Sequence, residues 1–142
     1  MRIYLPLILS DLEAPTISTA NAVKLPASAQ GTSAEELEVM EDEALMDAAF
    51  SSLELSADSD VPAARVVAVA DVKGPLLDRL EWGHVESIMA DTLEGRRLAR
   101  RALDATAQDE ADALVDELFD EPMSWFDVTE RQKLAEALRK ST

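Results

Sequence analysis

The sequence predicts an α/β protein of the α+β class, a two-layer sandwich with a mixed sheet of four to five strands and about four helices. Three observations support this class. Strand-like and helix-like segments interleave along the 142 residues. The apolar residues are mainly 23 alanines and 19 leucines, which favours helices. The 47% hydrophobic and 30% charged residues are typical of a globular chain, and the length predicts a single domain over residues 1–142.

The N-terminal quarter predicts two strands. Residues 2–8 are β-branched, aromatic or leucine, and Pro6 indicates an edge position or a bulge. A strand explains this run better than a signal peptide, because the run has one basic residue and Pro6 interrupts its apolar part. We expect a helical turn over residues 11–14, a second strand over 16–25 and a mobile loop over 27–32.

The central part predicts a long helix followed by a buried strand. Ser33 and Glu36 have the spacing of a capping box, so a helix is expected over residues 34–55. Residues 65–72, RVVAVADV, form a nearly continuous β-branched run, which is typical of a central strand. Because a helix connects the second and third strands, we expect these strands to lie parallel with a right-handed crossover.

The C-terminal half predicts alternating elements. Asp91 with Glu94, and Thr129 with Gln132, have the spacing that opens a helix, so Asp91 and Thr129 are interpreted as N-caps. The predicted elements are, in order, a helical turn over residues 76–80, a strand within 82–90, a helix over 91–105, a helix over 109–119, a strand over 123–128 and a final helix over 129–139.

Four segments of the chain resemble a family of small actinobacterial proteins of unknown function. They are the opening MRIYLP, the acidic EELEVMEDEALMDAAFSSLEL, the strand RVVAVADV and the late SWFDVTE. The family opens with Met-Arg, then Ile or Val, Tyr, Leu or Val, and Pro. The resemblance implies a bacterial cytoplasmic protein and carries over no catalytic residue. This chain departs from the family after the first strand, where residues 11–15 replace a longer helical segment.

Composition excludes several kinds of site. The 29 acidic residues against 13 basic ones give a net charge of −16, which repels nucleic acid. No cysteine is present, so thiolate chemistry and Cys-ligated metals are excluded. One histidine, His84, cannot supply a site that needs two imidazoles, and no serine elbow accompanies it. No run approaches the roughly 20 apolar residues of a membrane span. We expect no cofactor.

Carboxylates are the remaining candidates for metal ligands. Glu38 and Asp42 lie four residues apart in the acidic helix and share a face, although a solvated face explains them as well. Asp71 and Asp127 lie at the ends of predicted strands. If these strands run in the same direction, both aspartates lie at one edge of the sheet, where Mg²⁺ would bridge them. Turn chemistry is the alternative for both.

The basic residues concentrate on one predicted helix. Arg96, Arg97, Arg100 and Arg101 cover an arc of about 140° at 100° per residue. Three interpretations stay open for this face: it pairs with the chain's own acids, it contacts a partner protein, or it binds phosphate groups.

Trp125 and Phe126 form the one adjacent aromatic pair. Because neighbours in a strand alternate, one ring should point into the core and the other outward, toward a partner.

The sequence therefore favours a small cytoplasmic protein that acts through protein contacts, as an interaction or structural module without catalysis. The alternatives are a metal-assisted enzyme on phosphoryl-type substrates, using Asp71 and Asp127, and an acidic mimic of nucleic acid. The sequence leaves open whether the chain forms homo-oligomers.

Overall fold

The computed structural model describes residues 1–25, 29 and 31–140 of the chain. Their strands are β1 (Arg2–Leu7), β2 (Thr16–Ser18), β3 (Val23–Lys24), β4 (Val66–Asp71), β5 (Arg79–Glu81), β6 (Val85–Ala90) and β7 (Ser124–Asp127). Their α-helices are α1 (Leu9–Glu13), α2 (Ala34–Ala57), α3 (Leu93–Asp104), α4 (Gln108–Asp120) and α5 (Arg131–Lys140). The α+β sandwich that the sequence predicts is confirmed. None of the described helices is long and apolar enough to cross a membrane.

The main sheet has five strands in the order β3-β1-β4-β6-β7, and β2 pairs with β5 in a second sheet. The prediction of a mixed sheet is wrong, because every neighbouring pair is antiparallel. β3 and β4, which α2 connects, run in the same direction, but β1 lies between them and pairs with both. The two strands that the helix connects therefore run in the same direction, as predicted, but they are not neighbours in the sheet.

Both faces of the central strands of the main sheet are buried. Tyr4, Val67 and Val69 pack against the alanines of α2, of which Ala44 and Ala48 are buried. The opposite face packs against α1, α5 and the small sheet, through the residues Ile3, Leu5, Ala68, Ile88, Leu12, Ile17, Leu80, Leu134 and Leu138. This two-sided burial explains why β4 has no polar residue before Asp71: five of its six residues are buried.

The helices α3 and α4 pack on each other and on the end of α2. Leu98, Ala99 and Ala102 of α3 meet Leu114 and Leu118 of α4, and Leu53 of α2 joins this cluster. The small side chains at positions 99 and 102 let the two helices approach closely. The other side of α3, which carries the arginines, faces away from this cluster.

Two of the three predicted helix caps differ in the structure. Ser33 caps α2 as expected, and its hydroxyl accepts the Glu36 N–H at 3.2 Å. The cap of α3 is Thr92, whose hydroxyl accepts from Gly95, because Asp91 is buried in a different interaction. The last helix is preceded by a 3-10 turn over Val128–Glu130 that Asp127 caps, so Thr129 is not the N-cap.

Two other predictions also need correction. The predicted second strand divides into β2 and β3, which belong to different sheets. The helical turn expected over residues 76–80 is wrong, since Leu80 lies in β5 and pairs with Ile17 of β2. A strand partner some 60 residues away decided this conformation, and local sequence does not reveal such a partner. Residues 27, 28 and 30 of the predicted loop lie outside the described residues.

Candidate binding groove beside the arginine helix

The arginines lie on the solvent side of α3. Arg96 is half-buried, whereas Arg97, Arg100 and Arg101 are exposed. The predicted amphipathic helix is therefore present, with Leu98, Ala99 and Ala102 on its buried side.

The ion pairs on this face are long and exposed. A guanidinium nitrogen of Arg97 lies 3.7 Å from a carboxylate oxygen of Glu94, and one of Arg100 lies 3.8 Å from a carboxylate oxygen of Asp104. All four side chains are more than half exposed. Exposed pairs of this kind contribute about 0–1 kcal/mol. The interpretation that the arginines neutralise the chain's own acids therefore rests on two weak contacts within α3.

Arg96 is held differently. Its Nη1 donates to the main-chain oxygen of Asp91 at 3.3 Å. Its Nε is buried and makes no hydrogen bond among the described residues. A buried donor without an acceptor costs free energy, of order 1–3 kcal/mol for a polar group. Arg96 is thus anchored at one nitrogen and unsatisfied at another.

A groove of about 710 Å³ lies between this face of α3 and the end of α2. We call it the arginine groove. Its basic residues are Arg96, Arg97 and Arg100, and Arg101 is not among the residues that line it. Leu93, Leu103 and Val61 give it an apolar component, and Asp60 and Asp104 are its acidic residues. Three arginines against two aspartates leave this groove with an excess of positive charge, within a chain of net charge −16.

A buried ion pair supports the first turn of α3. The side chains of Arg65 and Asp91 are 3% and 0% exposed, and Arg65 Nη2 lies 2.6 Å from Asp91 Oδ1. Arg65 Nε also donates to Oδ1, and the Arg65 main-chain N–H donates to Oδ2 at 2.7 Å. The Arg65 Nη2 further donates to the Glu121 main-chain oxygen, and the guanidinium lies over the Phe119 ring. Arg65 therefore joins β4 to α3 and α4.

Gly95 is required by this pair. A Cβ at position 95 would lie 2.8 Å from Cγ of Asp91, a distance that real Cβ atoms essentially never show. The absence of a side chain at Gly95 lets the buried carboxylate lie beside the first turn of α3.

The aromatic pair on β7 alternates as the sequence predicts. Trp125 is 61% exposed, whereas Phe126 packs against the core on the other face of the sheet. Trp125 lies opposite Met89 of β6, and Phe126 lies opposite Ile88. Whether either ring contacts a partner stays a prediction.

The aspartates proposed as metal ligands do lie at one edge of the sheet, because β4 and β7 run in the same direction on either side of β6. Each has another contact. Asp71 Oδ1 lies 3.2 Å from the Met1 amino group, and Asp127 Oδ2 accepts from the N–H and the hydroxyl of Thr129. These hydrogen bonds from Thr129 lower the pKa of Asp127.

The other proposed ligands, Glu38 and Asp42, are exposed on α2. Among residues 1–25, 29 and 31–140, no three His, Asp or Glu side chains are grouped so that they would hold a metal ion. His84 is exposed beside Asp71, Lys73 and Glu86, which line a second cavity of about 390 Å³.

A comparison with known protein families shows which family the chain belongs to. A family model described as a family of unknown function, DUF6912, matches residues 1–135. The chain belongs to this family. No curated protein and no solved structure matches it significantly. Membership in DUF6912 thus places nearly the whole chain in one family without indicating an activity.

Sequence reasoning missed the most buried charges of this DUF6912 chain. The sequence pattern makes Arg65 the first residue of a strand and Asp91 a helix cap, and neither assignment indicates an ion pair. One signal was available: Arg65 is the single basic residue within residues 25–72, and it directly precedes the apolar run of β4. An arginine at such a position requires a buried acceptor.

Proposed function

We propose that this protein is a non-catalytic interaction module that binds an acidic segment of a partner protein in the arginine groove. One observation carries the proposal: Arg96, Arg97 and Arg100 line a single groove in a chain of net charge −16. The segment that we propose carries carboxylates together with apolar residues.

Charge and chemistry of the groove support an acidic occupant. Guanidinium groups form paired hydrogen bonds with carboxylates, and arginine is the residue best suited to such recognition. Leu93 is 51% exposed, and with Leu103 and Val61 it offers apolar surface to anchor a bound segment. Since the chain carries a net charge of −16, an acidic segment meets attraction only where basic residues concentrate, as they do in this groove and on α5, and the groove adds the apolar lining.

These arginines contribute little to the stability of the fold. Ser56 and Ala57 line the groove from the last turn of α2, whose free carbonyl groups carry partial negative charge. A nearby cation contributes about 0.3–1 kcal/mol in such a place. This contribution and the two long ion pairs within α3 give Arg97 and Arg100 a small role in the fold, whereas Arg96 is also anchored at Asp91, so Arg97 and Arg100 favour a role in binding.

We also propose a bacterial, actinobacterial and cytoplasmic setting for this interaction. The opening MRIYLP and the other segments that resemble small actinobacterial proteins support it, and the absence of cysteine is compatible with a reducing compartment.

A designed peptide tests the proposal. The probe is a fluorescein-labelled helical 14-residue peptide of glutamate and leucine, and its control replaces each glutamate by glutamine. Fluorescence anisotropy measures binding to the wild-type protein and to R97Q/R100Q. The matched control is K133Q/K140Q, which removes two charges from exposed positions of α5.

We expect the glutamate peptide to bind the wild-type protein and K133Q/K140Q equally, and R97Q/R100Q about tenfold more weakly. Tenfold corresponds to about 1.4 kcal/mol, or two charge-assisted contacts of about 0.7 kcal/mol each. Equal binding of the glutamate and glutamine peptides, or equal binding to R97Q/R100Q, would contradict the proposal. A duplex DNA fragment that binds the groove in place of the peptide would also contradict it.

A further inference from the structure

Trp125 lies on an apolar surface that shares no residue with the lining of the arginine groove. We define the Trp125 surface by Phe50, Met89, Phe119, Met123 and Trp125. Met89, Phe119 and Met123 are half-buried parts of the cluster beneath α2, and Phe50 lies 6.2 Å from Phe119 between ring centroids. Phe50 and Trp125 are 45% and 61% exposed. Large apolar side chains that are exposed around one apolar cluster are typical of interaction surfaces.

The helix α2 does not extend over this part of the sheet. It packs on β3, β1 and β4, whereas Met89 and Trp125 continue the same face on β6 and β7. Met46 and Phe50 follow Val39 by seven and eleven residues, so the three lie along one side of α2, and Val39 and Met46 are 56% and 48% exposed. This side of α2 meets the Trp125 surface at Phe50.

The strand β7 offers main-chain groups to a further strand. Among the described residues β7 pairs with β6 and with no other strand. The Asp127 N–H donates to Glu130 Oε1 and so points away from β6. Because main-chain groups alternate along an antiparallel pair, the N–H and C=O of Trp125 also point away from β6. Pro122 and the Glu130 side chain limit the open edge to this short stretch.

The acidic residues around β7 indicate which kind of segment would bind there. Asp120 and Glu121 precede β7, and Asp127 and Glu130 follow its exposed tryptophan. A second copy of the chain would bring the same four acids together, in addition to two net charges of −16. A segment with basic residues meets attraction at both ends of the open edge.

We propose that the Trp125 surface binds an extended segment of another protein, in which apolar and basic residues alternate, as an added strand at the edge of β7. The segment exchanges two hydrogen bonds with the main chain of Trp125. Its apolar side chains contact Trp125 and Met123, and its basic side chains, on the opposite face of the added strand, are attracted by the acidic residues around β7. This interaction is independent of the arginine groove and uses a partner segment of opposite charge.

A second peptide series tests this inference. The probe is a fluorescein-labelled eight-residue peptide of alternating valine and lysine. Its control has the same sequence with alternate peptide nitrogens methylated, which removes main-chain donors and leaves the charge unchanged. Anisotropy is measured at physiological salt with the wild-type protein, with W125A and with L77A. Leu77 is 69% exposed and lies outside the main sheet, so L77A matches W125A in removing an exposed apolar side chain.

We expect W125A to weaken binding at least tenfold, L77A to bind as the wild-type protein does, and the methylated peptide not to bind. Both variants should keep the melting temperature of the wild-type protein, because both side chains are mainly exposed. Equal binding of the methylated peptide would show attraction by charge alone and overturn the inference. A dimer in sedimentation that W125A abolishes would also overturn it, in favour of a second copy as the occupant.

Discussion

Arg65 and Asp91 are joined by hydrogen bonds in both directions between the start of β4 and the end of β6. The Arg65 main-chain N–H, Nε and Nη2 donate to the Asp91 carboxylate, and the Asp91 N–H donates to the Arg65 main-chain oxygen at 3.1 Å. The same aspartate leads into α3, and its main-chain oxygen accepts from Arg96. The position of the arginine groove therefore depends on a buried ion pair in the core.

Loss of one member of this pair should destabilise the protein strongly. In D91A the buried guanidinium of Arg65 keeps one main-chain acceptor, at Glu121, and loses its carboxylate partner. We expect a decrease of about 3–5 kcal/mol in the free energy of unfolding, measured by urea denaturation. The substitution of an exposed acid of α2, D42A, is the control and should change stability by less than about 0.5 kcal/mol.

Removal of both charges should cost less than the sum of the single losses. The variants R65M and R65M/D91A complete a double-mutant cycle with D91A, and the double variant leaves no unpaired charge in the core. Additive losses in the cycle would show that the two side chains contribute separately, which the short distances between them do not allow.

For the substitution G95A we predict a loss of stability, whereas helix propensity alone predicts a gain. Alanine is better than glycine in a helix by about 1 kcal/mol, so G95A should stabilise an isolated α3. In the folded protein the added Cβ meets the Asp91 carboxylate at 2.8 Å from Cγ, and we expect G95A to lower the melting temperature. The control is G83A, since a Cβ at Gly83 has nothing within 4 Å. A G95A protein as stable as G83A would contradict the tight contact.

The same residues show what sequence can and cannot predict. Elements with a strong local pattern are confirmed: Ser33 opens α2, and the run after Arg65 is the central strand β4. Asp91 fits the pattern of an N-cap equally well, and only a buried arginine 26 residues earlier gives it a different role. Helix periodicity places Arg96, Arg97 and Arg100 on one face. It does not show that the end of α2 closes a groove beside them, because that depends on packing between elements distant in sequence.

The burial of Tyr4 predicts that the stability of the protein decreases at high pH. Its side chain is buried beneath α2 with its hydroxyl 3.4 Å from Glu41, and burial together with this carboxylate raises its pKa from 10.0 to about 12. The raised pKa favours the neutral phenol in the folded state. The corresponding stabilisation is present below pH 10 and is lost as the pH rises from about 10 to 12.

The single tyrosine makes this measurement direct. The ultraviolet absorbance of tyrosinate should rise with a midpoint near pH 12 in the folded protein and near pH 10 in denaturant. E41Q should lower the folded midpoint, whereas E38Q, which changes an exposed acid of the same helix, should leave it in place. A folded midpoint near 10 would show that Tyr4 is neither desolvated nor close to Glu41.

Divalent ions test the alternative of a metal site at the sheet edge. Asp71 already contacts the Met1 amino group and Asp127 already accepts from Thr129, so we expect millimolar MgCl₂ to leave the melting temperature unchanged against NaCl of equal ionic strength. A melting temperature that rises with Mg²⁺ concentration, and no longer does so in D71N/D127N, would support that alternative.

The central claim is that the arginine groove is the binding surface, and nuclear magnetic resonance of arginine Nε–Hε groups tests it most directly. During titration with the glutamate–leucine peptide, we predict that the signals of Arg97 and Arg100 shift with a common dissociation constant, which Arg96 shares if its buried Nε gains an acceptor. The signals of Arg79 and Arg131, which donate to main-chain oxygens of other elements, should stay in place. Shifts at Arg79 or Arg131 without shifts at Arg97 and Arg100 would contradict the claim.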